Sequence, residues 1–498
     1  MTGRPSRTPW AVLVVVCFAQ FMVVLDVTIV NVALPSIQRG LRFSQSDLHW
    51  VINGYTLTFG GFLLLGGRAG DLLGRKKTFV AGVVAFSAAS LANGTAQSPG
   101  MLIIGRAAQG VGGAFVAPAV LSIITTNFPD GLERAKALAV WSGISATGGA
   151  VGLLLGGVLA TVASWRWIFL VNVPIGVLVA LAAIGIVEES HAPLSRRTFD
   201  VRGAVLVTAG LALSVFAVVK SESYGWGSAR TWALLVAGVF LIGSFLALER
   251  RSPAPLMRLT IFRTPGLAAA DGILLLTSAT VIASLFFLSL YVQEVLRYGP
   301  LSAGLCFLPF SAGIVSGATA ARELVPKVGP RAVAVAGLAC ATAGMVVLTQ
   351  LPVRGHYASN VLVGLVPLGL GMGLTFLPVT LVGTSGVRAE DAGLASGLLN
   401  TAQQIGATLG LAVLSTLAAN RTLHAARSSG HSAAAADGAA TVSGFHLAFA
   451  TATGLMVAAG LLASFVLTAR EPRRRARIPH DRVAQAAACA HQVAGAIR

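Results

Sequence analysis

Charge is what this sequence has least of. Only 11% of its 498 residues are Asp, Glu, Lys or Arg, and acids are the scarcer sign, 18 against 36 basic residues. A soluble domain of this length could not cover its surface with so few charges, the more so when 55% of the chain is hydrophobic and mean hydropathy is +0.79. Soluble classes are excluded. Paired cysteines are also lacking: Cys17, Cys306 and Cys340 lie in apolar runs, Cys489 stands near the C-terminus, and none has a metal-ligand spacing. No glycine run ends in Lys-Ser/Thr, so there is no phosphate loop, and no catalytic constellation is found. An enzyme, a bound cofactor and a metal site are therefore not expected.

What the chain has in quantity is apolar runs of about 20 residues, the length that crosses roughly 30 Å of hydrocarbon. Six fall near 11–34, 48–67, 78–97, 101–125, 137–160 and 167–187, two near 203–219 and 231–249, and six more near 266–292, 302–325, 331–351, 359–382, 391–418 and 443–469. The expected fold is an all-α membrane protein with 14 transmembrane helices, ordered six, two and six. Its parts are an N-terminal tail (1–10), a six-helix bundle (11–187), loops with two extra helices (188–265), a second six-helix bundle (266–469) and a C-terminal tail (470–498). The first run continues into NVALP without a small-residue cleavage site, so it is expected to remain in the mature protein.

A net charge of +18 could suggest nucleic acid, but the basic residues lie in short loops between apolar runs, with no shared face to bind one. Most of the 36 Lys and Arg fall in the tails and every second loop, which places both termini in the cytoplasm of a plasma-membrane protein. Two six-helix sets around a central pair suggest an internally duplicated transporter. The stretch GRAGDLLGRKK after the second run has a degenerate counterpart, ARELVPKVGPR, after the tenth. The Ala/Ser/Gly-rich segment 417–442 reads as a flexible outer loop.

Polar groups inside the apolar runs mark candidate sites, because each costs several kcal/mol at bilayer depth unless paired. Asp26 stands in LDVTIVNVALP, and Arg106 in GRAAQGVGGAF. The guanidinium stays protonated and needs a carboxylate, backbone carbonyls or water; Asp26 could serve proton exchange, or with Asn31 could simply bond between helices. Asp271 is either a second cation-binding acid or an interfacial one. Gly148, Gly152 and Gly156 recur every four residues, with Gly157 beside them, forming a face that admits close backbone packing. Tyr55 and Tyr291 are candidate lining for lipophilic cations. In GRAGDLLGRKK, Gly67, Gly70 and Gly74 allow a tight turn, Asp71 can face a helix N-terminus, and Arg75 begins a basic cluster.

Several of these stretches resemble the signatures of the major facilitator superfamily. GRAGDLLGRKK is similar to its loop G-x-L-[AG]-D-x-x-G-R-[KR]-x, with Ala69 where Leu is usual; the resemblance implies a cytoplasmic gating role for Asp71 and Arg75. Arg106, Gln109, Gly110 and Gly112 match R-x-x-Q-G-x-G, which implies proton coupling, and GGAVGLLLGGVL resembles the antiporter motif with Leu153 in place of its proline. LDVTIVNVALP and SWRWIFLVNVPIG resemble the fourteen-helix drug:proton antiporter branch, which implies proton and cation recognition by Asp26. The function so implied is proton-driven efflux of hydrophobic, cationic drugs by a monomer, with the proton gradient as its energy source. Two alternatives stay open: a narrow exporter of one metabolite or self-resistance antibiotic, and a non-transporting scaffold or sensor.

Overall fold

In the computed structural model, residues 9–44, 47–128, 132–190, 201–225, 227–251, 261, 266–385, 387, 392–428 and 438–466 are described, and all regular structure among them is helical. In chain order the helices are α1 (Pro9–Leu41), α2 (Trp50–Leu73), α3 (Arg75–Gly94), α4 (Pro99–Asn127), α5 (Leu132–Val162), α6 (Trp167–Leu170), α7 (Asn172–Ile186), α8 (Val201–Tyr224) and α9 (Ala229–Arg251). There follow α10 (Leu267–Leu290), α11 (Pro300–Cys306), α12 (Leu308–Val328), α13 (Pro330–Leu348), α14 (Leu362–Thr384), α15 (Ala392–Ser428) and α16 (Gly438–Val466). A π-helical turn, Tyr291–Val295, continues α10, and another, Tyr357–Val361, leads into α14.

Helix starts follow local chemistry. Ser98 caps α4, its hydroxyl accepting from the Met101 N–H at 3.3 Å, with Pro99 at the first helical position where no N–H is needed. Gly74 (φ 109°) alone separates α2 from α3, and Gly329 (φ 85°) alone separates α12 from α13. Only glycine enters that region freely, so the echo between GRAGDLLGRKK and ARELVPKVGPR is the same one-residue reversal used twice.

Among the described residues, 10 helical stretches are long and apolar enough to cross a membrane. Their outward faces are apolar, with Phe240 71% and Phe465 76% exposed, which suits lipid and not water. α1 packs with α4, α5 and α7, while α2 and α3 pack on α4; a second group joins α10 with α15 and α16, and α14 with α12 and α13. α8 and α9 pair with each other, and α8 lies on both α2 and α15.

Three expectations change. α1 does not stop before Pro35 but runs on to Leu41, because one missing N–H is tolerated where a neighbouring helix supplies the donor. Gly67 and Gly70 are not in a loop: α2 continues to Leu73, since Gly74 suffices for the turn. Within the segment 417–442, residues 417–428 and 438–442 are helical, α15 reaching Ser428 and α16 starting at Gly438, while 429–437 lie outside the described residues; the Ala, Leu and Arg at its start favour helix.

Candidate functional site

Asp26 lies midway along α1, fully buried against α4 and α7. Burial of a carboxylate requires that its lone pairs be filled, and here three donors converge on it. Arg106 Nη1 of α4 donates to Oδ2 at 2.5 Å, while Oδ1 accepts from Gln109 Nε2 at 2.7 Å and from Asn172 Nδ2 of α7 at 2.9 Å. Arg106 and Gln109 are three residues apart on one helix, so both reach the same face.

The guanidinium is satisfied in turn. Its Nε donates to the Val51 carbonyl of α2 at 2.9 Å, and Nη1 also donates to Gln109 Oε1 at 2.8 Å. The Tyr55 ring lies 4.5 Å from its Cζ and the Phe169 ring 5.8 Å, a cation–π seat at a fully desolvated position. Ser90 of α3 donates to the Phe169 carbonyl at 2.9 Å and accepts from Gln109 Nε2 and Asn172 Nδ2, and Asn93 Nδ2 donates to Gln109 Oε1 at 2.8 Å. Six helices, α1 to α4, α6 and α7, thus meet at one ion pair. Three buried atoms of residues in this cluster, the Tyr55 hydroxyl, Asn93 Oδ1 and Asn172 Oδ1, have no hydrogen-bond partner among the described residues.

The glycine face seats α5 against α1. A Cβ on Gly152 would meet Thr28 Oγ1 and, at 2.9 Å, the Leu25 carbonyl; one on Gly156 would lie 2.8 Å from the Ile29 carbonyl. Gly148 is looser, with Phe21 at 3.3 Å, and Gly157 turns away toward Pro300 and Leu301 of α11 in the other group. These contacts fix the stretch of α1 that carries Asp26.

At the α2–α3 turn, Arg75 starts α3, and the Asp71 side chain lies outside the described residues. An unforeseen acid completes this turn: Glu189, beyond α7, accepts from the N–H groups of Lys76 and Lys77 at 3.0 and 3.2 Å, and the Arg75 N–H donates to the Ser190 carbonyl at 3.0 Å. The carboxylate occupies the N-terminus of α3, where free donors and the helix dipole favour negative charge. A Cβ on Gly74 would strike it.

The other sequence candidates stand elsewhere. Tyr55 belongs to the ion-pair cluster. Tyr291 is buried, with its hydroxyl donating to the Pro352 carbonyl at 2.6 Å. Asn31 is buried and donates to the Val27 carbonyl of its own helix at 3.0 Å. Asp271 is half-buried near the start of α10, and neither carboxylate oxygen has a hydrogen-bond partner among the described residues. Ser90, Asn93 and Asn172 were not singled out from sequence, although each is a polar side chain inside an apolar run, the signal that marked Asp26.

The Major Facilitator Superfamily model matches residues 16–411. The puromycin resistance protein pur8 of Streptomyces alboniger is 39% identical over 94% of this chain and 93% of its own length. The cephamycin export protein CmcT of Amycolatopsis lactamdurans is 40% identical over 84% of this chain and 88% of its own. Among solved structures, a bacterial homologue of the human lysosomal transporter Spinster, inward-facing and unoccupied, superposes with a TM-score of 0.66 at 16% identity, covering 94% of this chain and 98% of that one.

Proposed function

We propose a function from one premise: the chain belongs to the Major Facilitator Superfamily. It is a multi-pass membrane protein that exports hydrophobic drugs or antibiotics from the cytoplasm in exchange for external protons. The observation that carries this reading is the Asp26–Arg106 pair, a fully buried charge pair at 2.5 Å inside an apolar bundle. A scaffold has no use for so costly a feature. Proton uptake by Asp26 would release Arg106, and loss of the Arg106 contact would leave a buried carboxylate that accepts a proton, so each event favours the other.

In this reading α2, α3, α5 and α8 cross the membrane along with the 10 apolar stretches, giving fourteen spans and two bundles, 11–187 and 266–469, with both termini cytoplasmic. The α2–α3 turn then faces the cytoplasm, where Gly74, Arg75 and Asp71, with Glu189 beneath them, form the gate. Asp271, whose carboxylate oxygens have no hydrogen-bond partner among the described residues, is the candidate for a cationic substrate group or a second proton, and a monomer suffices for the cycle.

The relatives named for puromycin and cephamycin supply a second, narrower reading, export of one antibiotic. Efflux of ethidium and of puromycin from energised cells carrying wild type, Asp26→Asn or empty vector, each with and without a protonophore, separates the readings. Efflux of both compounds, abolished by the protonophore and by Asp26→Asn, supports broad proton-coupled export. Efflux of puromycin alone supports the narrow variant, and efflux indifferent to the protonophore overturns proton coupling.

A further inference from the structure

Several of the hydrogen bonds and glycine approaches that join the two bundles lie at the end where α1 finishes and α2 begins. There, Pro35 within α1 has no N–H, so the carbonyl of Asn31, four residues before it, has no donor inside its own helix. Its donor comes from the other bundle. Ser289 of α10, fully buried, donates its hydroxyl to the Asn31 carbonyl at 2.7 Å. Gln293, in the π-helical turn that follows, donates Nε2 to the Val32 carbonyl at 2.9 Å and to Ser289 Oγ at 3.1 Å.

A second repeat surrounds these bonds. IQRGLRF at 37–43 is echoed by VQEVLRY at 292–298, and both segments end their helices through a left-handed arginine, Arg42 at φ 56° and Arg297 at φ 60°. Arg39 and Glu294, which occupy equivalent places in the two copies, lie close enough for their charges to act on each other. The two copies meet here, but only the first is preceded by a proline, Pro35, where the second has Leu290, so of the two helices it is α1 whose carbonyl loses its intrahelical donor. Gly157 and Gly304 bring α5 and α11 into backbone contact beside it.

We propose that Ser289 and Gln293 form a latch on the carbonyls of Asn31 and Val32, and that this latch holds the bundles closed at the α1–α2 end of the transport cycle. The proposal rests on the transporter reading above. Parting the bundles removes the Ser289 donor from a buried carbonyl that Pro35 cannot serve, an asymmetric penalty that a hydrogen bond between saturated groups would not carry. The closed arrangement is thereby favoured until water or a rearranged α1 supplies another donor. The π-helical turn gives Gln293 its direction, since the Leu296 N–H bonds back to the Tyr291 carbonyl at 3.0 Å and shifts the register of the turn.

The test measures distance, with no substrate or proton gradient, so failure of the latch is distinct from failure of proton-coupled export. Spin labels at Gln97→Cys and Arg354→Cys, both on exposed connections of opposite bundles, are placed on a full chain whose four native cysteines are replaced by serine. Removing Ser289 and Gln293 together (S289A/Q293L) is expected to raise the ratio of long to short distances about tenfold, the size expected for two lost hydrogen bonds. Pro35→Ala should shift it in the same direction, because it returns an N–H to the Asn31 carbonyl and leaves Ser289 redundant. A distance distribution unchanged from wild type in either membrane-inserted variant overturns the proposal; should the double variant fail to insert, Pro35→Ala alone decides.

Discussion

At the residue scale the account turns on complementarity around Asp26. Arg106 holds three roles at once, as ion-pair partner, donor to the Val51 carbonyl and cation over Tyr55. Arg106→Ala removes the counter-charge while Asp26 stays buried, and is expected to cost about 3–5 kcal/mol, read as a fall in the midpoint of thermal unfolding in detergent. Arg106→Lys keeps the charge but not the planar fork, so it should recover only part of that loss. Asp26 and Arg106 were legible in the sequence because charges within apolar runs are conspicuous, and Gln109 only through the motif it completes. Ser90, Asn93 and Asn172 were not, since a small amide or hydroxyl in an apolar helix can bond its own backbone, and only the fold shows that Asn172 reaches the carboxylate while Ser90 and Asn93 bond the groups around it.

At the element scale, helix packing converts small residues into position. Gly152→Ala would push against Thr28 and the Leu25 carbonyl, one residue from Asp26, and is expected to cost about 1–3 kcal/mol and to impair transport. Gly148→Ala, whose nearest contacts are 3.3 and 3.4 Å away, should be nearly neutral in both assays. Equal effects of the two substitutions would refute this account of the glycine face. Glu189 acts on α3 as a cap supplied from outside its own helix, and Glu189→Ala should lower stability by about 1 kcal/mol, with Glu189→Gln recovering part of it by retaining an acceptor oxygen. The glycine spacing told the eye which face of α5 would pack, but the cap joins residues 113 apart and left no local pattern. Pro35 misled for a related reason: proline reads as a helix end unless the partner that replaces its missing bond is known, and here that partner is Ser289.

At the scale of the whole molecule, hydropathy and charge placement exposed the helical membrane class, and short motifs carried the family resemblance, before any contact was known. The route between the two bundles was hidden, because it depends on which ends of the helices touch. The bonds from Ser289 and Gln293 to α1, together with the bond between Thr56 and Thr408 at 2.8 Å, place the closed seam at one end of the bundles, away from the α2–α3 turn. In a transporter that exchanges protons for drug, that seam and the Asp26–Arg106 pair must change in turn. The direct test is proteoliposomes of purified protein with a pH-sensitive dye inside and puromycin added outside under an imposed pH gradient. Wild type should move protons in step with the drug and against its direction, while Asp26→Asn, inserted to the same level, should move neither against a gradient. Drug movement without proton movement in wild type, or undiminished proton-coupled movement in Asp26→Asn, would contradict the account.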